Sequence, residues 1–97
     1  MARLELLPKV LRDFERFLSH MARVGASDGT ERIEEIIEAL QVLTHSPLIG
    51  RPVPEGDREL VISRGVHGYV ALYRFIEVVD TVFVLAIRSQ RESGYRR

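Results

Sequence analysis

Tyr69-Val70-Ala71-Leu72-Tyr73-Arg74-Phe75-Ile76-Glu77-Val78, followed after a turn near Asp80 by Val82-Phe83-Val84-Leu85-Ala86-Ile87, is the stretch from which the fold is read. Both runs are rich in β-branched and aromatic residues, and both are apolar at odd and even positions alike. They therefore predict two strands that lie centrally in a sheet or are covered on each side. Working back toward the N-terminus, Leu60 to Ser63 predicts a third strand, separated from the second by Gly65-Val66-His67-Gly68, and the three form an antiparallel meander. The segment before it, Ser46 to Asp57, holds three prolines and two glycines and predicts a loop with several fixed backbone angles and no interior helix or strand.

The first half of the chain has a different period. Val10, Leu11, Phe14, Phe17, Leu18 and Met21 recur on one helical face, and Pro8 suits a first helical turn, so a helix is predicted over Pro8 to Val24. Gly25 to Gly29 is a turn. Thr30 is the expected N-cap of a second helix carrying the stripe Ile33, Ile36, Ile37, Leu40 and Leu43, with Glu31, Glu34 and Glu35 near its positive end. Ahead of both helices, Arg3 to Leu7 alternates polar and apolar and predicts a short strand. The expected architecture is α+β: an N-terminal strand and an antiparallel helical hairpin packed on a small, mainly antiparallel sheet, with residues 1–97 as a single domain.

Composition narrows the function classes. The apolar fraction of 45% and charged fraction of 29% suit a folded globular chain and not a disordered one. The longest uncharged apolar run is broken at Asp80, so no membrane span is expected, and Met1-Ala2-Arg3-Leu4-Glu5 has no apolar signal core, so the expected location is cytoplasmic. Without cysteine there are no disulfides, thiolate nucleophiles or Cys-based metal sites. The 14 basic and 14 acidic residues cancel, yet the last ten residues hold four Arg against one Glu, a local cationic patch. His20, His45 and His67 are scattered without metal-ligand spacing, and no Ser/His/Asp triad, P-loop or carboxylate dyad can be argued. No cofactor, metal or small-molecule substrate is expected.

Three stretches in order carry a family resemblance over almost the whole chain. They are Pro47-Leu48-Ile49-Gly50-Arg51-Pro52 with Asp57-Arg58-Glu59-Leu60-Val61, then Gly68-Tyr69 with Tyr73-Arg74, and finally Val84-Leu85-Ala86-Ile87-Arg88-Ser89-Gln90-Arg91-Glu92-Ser93-Gly94-Tyr95. Together they resemble the RelE/ParE family of bacterial toxins from type II toxin–antitoxin pairs. The resemblance implies a cognate antitoxin as partner and one of two targets. ParE-like members poison DNA gyrase without catalysis and act in plasmid stabilisation; RelE-like members cleave mRNA on the ribosome. The cleaving members carry a Lys-x-Lys pair and an Arg where this chain has Val61, Ser63 and Val70, and many relatives carry His where it has Ser89. Neutral side chains at those positions cannot stabilise charge on a scissile phosphate. The expected function is therefore a ParE-like, non-enzymatic inhibitor of DNA gyrase, with the ribosome-dependent endoribonuclease as the alternative.

The expected target-binding residues are Arg64, Arg74, Arg88, Arg91, Tyr95, Arg96 and Arg97, centred on the basic tail. In the alternative, Arg88 and Arg91 would stabilise the phosphate and Tyr95 would help move a proton. Arg64 and Arg74 could instead pair with Glu59 or Glu77 at the surface. Tyr69 and Tyr73, four apart on one strand, could form an exposed aromatic platform or be half-buried with wet hydroxyls. The antitoxin-binding residues are not legible, although a domain this small with two very apolar strands is expected to keep apolar surface for a partner.

Overall fold

The computed structural model describes residues 1–25, 28–63, 68–92 and 94–95. Strand β1 (Arg3–Leu6) leads into helix α1 (Pro8–Arg23), then α2 (Gly29–Leu40) and a single further turn, α3 (Val42–His45). The second half holds β2 (Arg51–Pro52), β3 (Arg58–Ile62), β4 (Tyr69–Ile76) and β5 (Thr81–Ser89). The five strands form one sheet in the order β1-β5-β4-β3-β2, with β1 parallel to β5 and every other pairing antiparallel. The two strands that are apolar on both faces, β4 and β5, are the central ones. Among the described residues no helix is long and apolar enough to cross a membrane.

The helices cover one sheet face. Val10, Phe14, Phe17 and Met21 of α1 meet Ile36 and Leu40 of α2, Leu43 of α3, and Tyr69, Ala71, Tyr73, Val82, Val84 and Ile87 from β4 and β5. The buried positions of β5 change parity along the strand because the pairing passes from Tyr73↔Val84 to Leu72↔Ala86, leaving Leu85 as an extra residue. Such a bulge re-aims every side chain beyond it. It turns Ile87 to the helices and Arg88 to the opposite, helix-free face.

Three local expectations need correction. The second helix starts at Gly29, with Asp28 and not Thr30 at its cap; no side chain caps it, and the Asp28 carboxylate pairs with Arg32 at 3.0 Å instead. The helix also breaks at Gln41, so Leu43 reaches the core from α3. The Ser46–Asp57 segment is not without regular structure: Arg51–Pro52 pairs with Glu59 and Arg58 on β3, and Pro54–Gly56 forms a 3-10 turn. Its conformation is dictated by tertiary partners that no local pattern announces. The buried Tyr73 hydroxyl accepts the Gly50 N–H at 2.9 Å, and Arg58 Nη1 donates to the carbonyls of Leu48 and Gly50 at 3.0 and 2.8 Å.

Candidate functional site

The helix-free face is assembled by strand register. Val61 pairs with Val70 and Val70 with Arg88, so one row across β3, β4 and β5 reads Val61, Val70, Arg88. The neighbouring row begins at Arg51, which pairs with Glu59, itself opposite Leu72. The chain after β5 turns back over these rows. Glu92 N–H donates to the Ser89 carbonyl at 3.1 Å, Arg88 Nη1 to the Glu92 carbonyl at 3.1 Å, and the Tyr95 hydroxyl to Glu59 Oε2 at 2.6 Å. The Arg88 guanidinium lies 5.4 Å from the centre of the Tyr95 ring. Tyr95 thus spans from β5 to β3 over β4, and Val70 and Ala86, which lie outside the helix-side core, are nonetheless buried.

Among the described residues, a single ion pair is centred on Glu59 on this face. Arg51 grips Glu59 Oε1 through Nε and Nη2 at 3.0 and 2.8 Å, while Tyr95 takes the other carboxylate oxygen. Burial alone would raise the Glu59 pKa, but hydrogen bonds from Tyr95 and Arg51 and the charges of Arg51 and Arg88 outweigh it and hold the carboxyl below its ordinary value. The Tyr95 phenol moves the opposite way: burial, reinforced by the hydrogen bond to Glu59 and its negative charge, raises its pKa. It is a neutral donor committed to an ionised acceptor. The negative charge of Glu59 lies within electrostatic range of Arg88.

The expected target-binding set is divided by the structure. Arg88 and Tyr95 are in contact, and Arg91, three residues after Arg88, is exposed without an ion pair to a described residue. Arg74 is separated: it sits four residues along β4 from Val70, about 13 Å at strand spacing. It pairs with neither Glu59 nor Glu77 but donates to Asp57 Oδ1 at 2.7 Å and the Glu55 carbonyl at 2.8 Å, pinning the loop before β3. Arg64, Arg96 and Arg97 lie outside the described residues, as does His67. Tyr69 and Tyr73 form no exposed platform; both are buried against the helices, Tyr69 with its ring 5.1 Å from that of Phe17. Burial raises the pKa of each tyrosine. His20 is exposed on α1 and His45 is exposed at the end of α3. Among the described residues no group of three His, Asp or Glu is placed to hold a metal ion.

Sequence reasoning took Glu59 only for a surface partner of Arg64 or Arg74, where its partners are Arg51 and Tyr95, and it missed Asp13, a carboxylate only 1% exposed on α1. A signal for Asp13 existed, since an acid between Val10 and Phe14 falls inside the apolar stripe. The bond between Glu59 and Tyr95 carried none, because alternation along β3 does not reveal a partner 36 positions away.

Comparison with known proteins agrees with this fold. The model of the ParE toxin of the type II toxin–antitoxin system parDE matches residues 4–94. Toxin RelE3 of Caulobacter vibrioides is 30% identical over 92 residues, covering 95% of this chain and 98% of that protein. Among solved structures, the chromosomal ParDE system of P. aeruginosa superposes with a TM-score of 0.75 at 22% identity, over 92% of this chain and 96% of the other. The intact E. coli RelBE toxin–antitoxin complex gives 0.62 at 17% identity, over 95% and 100%. At those identities the two structures speak to the fold alone. The family match over nearly the whole length, with a relative at 30% identity over the same span, means that this chain belongs to the RelE/ParE family of type II toxin–antitoxin toxins.

Proposed function

We propose that this chain is a ParE-like toxin that binds DNA gyrase and blocks it without catalysis, and that a cognate antitoxin neutralises it, as in the ParDE and RelBE systems that share its fold. The observation that carries this reading is the row Val61, Val70, Arg88. Of the three positions that the family resemblance assigns to phosphate-stabilising cations, Val61 and Val70 lie in the row of Arg88 on the helix-free face, and the third is Ser63, so none carries a positive charge in this chain. Of the two described arginines there, Arg51 is paired with Glu59, and Arg88 is engaged by the Glu92 carbonyl and the Tyr95 ring within electrostatic range of the same carboxylate. A scissile phosphodiester needs the reverse, a preorganised positive field and a group free to move a proton. A binding surface needs only shape and complementary groups, which Arg88, the exposed Arg91 and Tyr95 supply.

One observation favours the alternative: the relative at 30% identity carries the name RelE3. The two readings separate in purified systems. Added to gyrase and relaxed plasmid, the chain is expected to inhibit supercoiling; added to ribosomes programmed with mRNA, it is expected to leave the message intact. Cleavage of the message with gyrase unaffected would overturn the proposal.

A further inference from the structure

Strand β1 pairs with β5 only from Thr81 to Val84, after which the chain leaves the sheet for α1. The β5 residues beyond that point lose their strand partner on this edge, and a buried unpaired N–H is costly. Asp13 takes the place of the missing strand, its Oδ2 accepting the Ile87 N–H at 2.9 Å. Its Oδ1 accepts Lys9 Nζ at 2.7 Å and Arg16 Nη2 at 3.2 Å. The other terminal nitrogen of Arg16, Nη1, donates to Glu92 Oε1 at 2.7 Å, and that same oxygen accepts the Ser89 N–H at 3.2 Å.

The arrangement brackets Arg88. The amide before it is held by Asp13, the amide after it by Glu92, and Arg16 joins the two carboxylates. The Arg16 guanidinium also lies 4.8 Å over the Phe17 ring, which fixes its plane. Burial works against its charge, but the hydrogen bonds and charges of Glu92 and Asp13 prevail and raise its pKa.

We propose that Asp13, Arg16 and Glu92 are positioning residues that transmit the placement of α1 to Arg88 and the tail, holding them in the arrangement that engages the target. This rests on the reading of the tail as the target-contacting segment. It has a consequence for regulation: a partner that moves Arg16 loosens the far side of the sheet without touching it.

The test uses Arg16→Met, Glu92→Ala, the double variant and Glu92→Gln in the full chain. Each is compared for tryptic cleavage after Arg88 and Arg91, urea midpoint and half-inhibitory concentration against gyrase. Tail cleavage is expected to rise roughly tenfold in either single variant, as the open population grows on loss of a charge-assisted hydrogen bond. The double variant should cost less than the sum of the two single changes, because both remove the Arg16–Glu92 link. Gyrase inhibition should weaken in parallel, with Glu92→Gln between wild type and Glu92→Ala since its amide oxygen still accepts. Unchanged cleavage, additive effects in the double variant, or a released tail with undiminished inhibition would each overturn the proposal. If wild type leaves gyrase untouched, the gyrase reading fails by itself, and the same variants are scored on growth arrest after induction, where parallel loss with tail release again supports positioning and its absence overturns it.

Discussion

Tyr95 carries less chemistry and more structure than its place in a basic tail suggests. Its hydroxyl donates to an ionised carboxylate, a bond about twice as strong as a neutral one, so Tyr95→Phe removes a tail anchor as well as a proton donor. The variant is expected to lose about 1 kcal/mol of stability, read from the urea midpoint. Acid provides a second handle on the same bond. Glu59 is held below the ordinary carboxyl value of 4.5, so its contribution is present above that value and is lost as pH falls through the lower, folded-state pKa. In Tyr95→Phe one of the groups that depress Glu59 is gone, and release of the tail should begin at higher pH. Proton spectra of the Tyr95 ring in wild type, and of the Phe ring in the variant, followed from pH 7 downward at intervals of about half a unit, measure this; identical midpoints would contradict it.

At the scale of elements, period and composition carried most of the fold. The helix read as Pro8 to Val24 is Pro8–Arg23, and both central strands stand where their two-sided apolarity puts them. What local patterns could not hold was information lodged in distant partners. The Ser46–Asp57 segment looked irregular because prolines and glycines punctuate it, yet Tyr73 and Arg58 give it a defined path. The bulge at Leu85 had no local mark either, since Val84, Leu85 and Ala86 are equally at home on either face, and without it Arg88 would point at the helices. Gly50 tests the loop account: a Cβ there would sit 2.7 Å from the Glu59 carbonyl oxygen and from the Tyr73 ring and hydroxyl. Gly50→Ala is expected to cost about 1–3 kcal/mol by overpacking, measured by chemical denaturation, and a neutral result would show that the loop is free to shift.

For the whole molecule, the site was legible in part and for a definite reason. Arg88 and Tyr95 were readable as neighbours because they are close in sequence and match a family ending. Arg74 stands apart from Arg88 and Tyr95, which its strand position alone did not show; Asp57 and the Glu55 carbonyl hold it. The counterion Glu59 and the brace through Asp13, Arg16 and Glu92 join segments far apart in the chain, and such pairs exist only once the sheet has formed. The result is a protein whose helices, sheet edge and tail are one mechanical unit around Arg88. On the proposed reading, the face beside that unit seizes a protein target, since Val61, Ser63 and Val70 add no positive charge next to Arg88.

The most direct test of that claim is the order in which syntheses fail when this chain alone is induced in bacteria, followed by incorporation of labelled thymidine and labelled methionine over the first minutes. The account predicts that thymidine incorporation stops first while methionine incorporation continues; methionine incorporation stopping first would contradict it and assign the helix-free face to RNA.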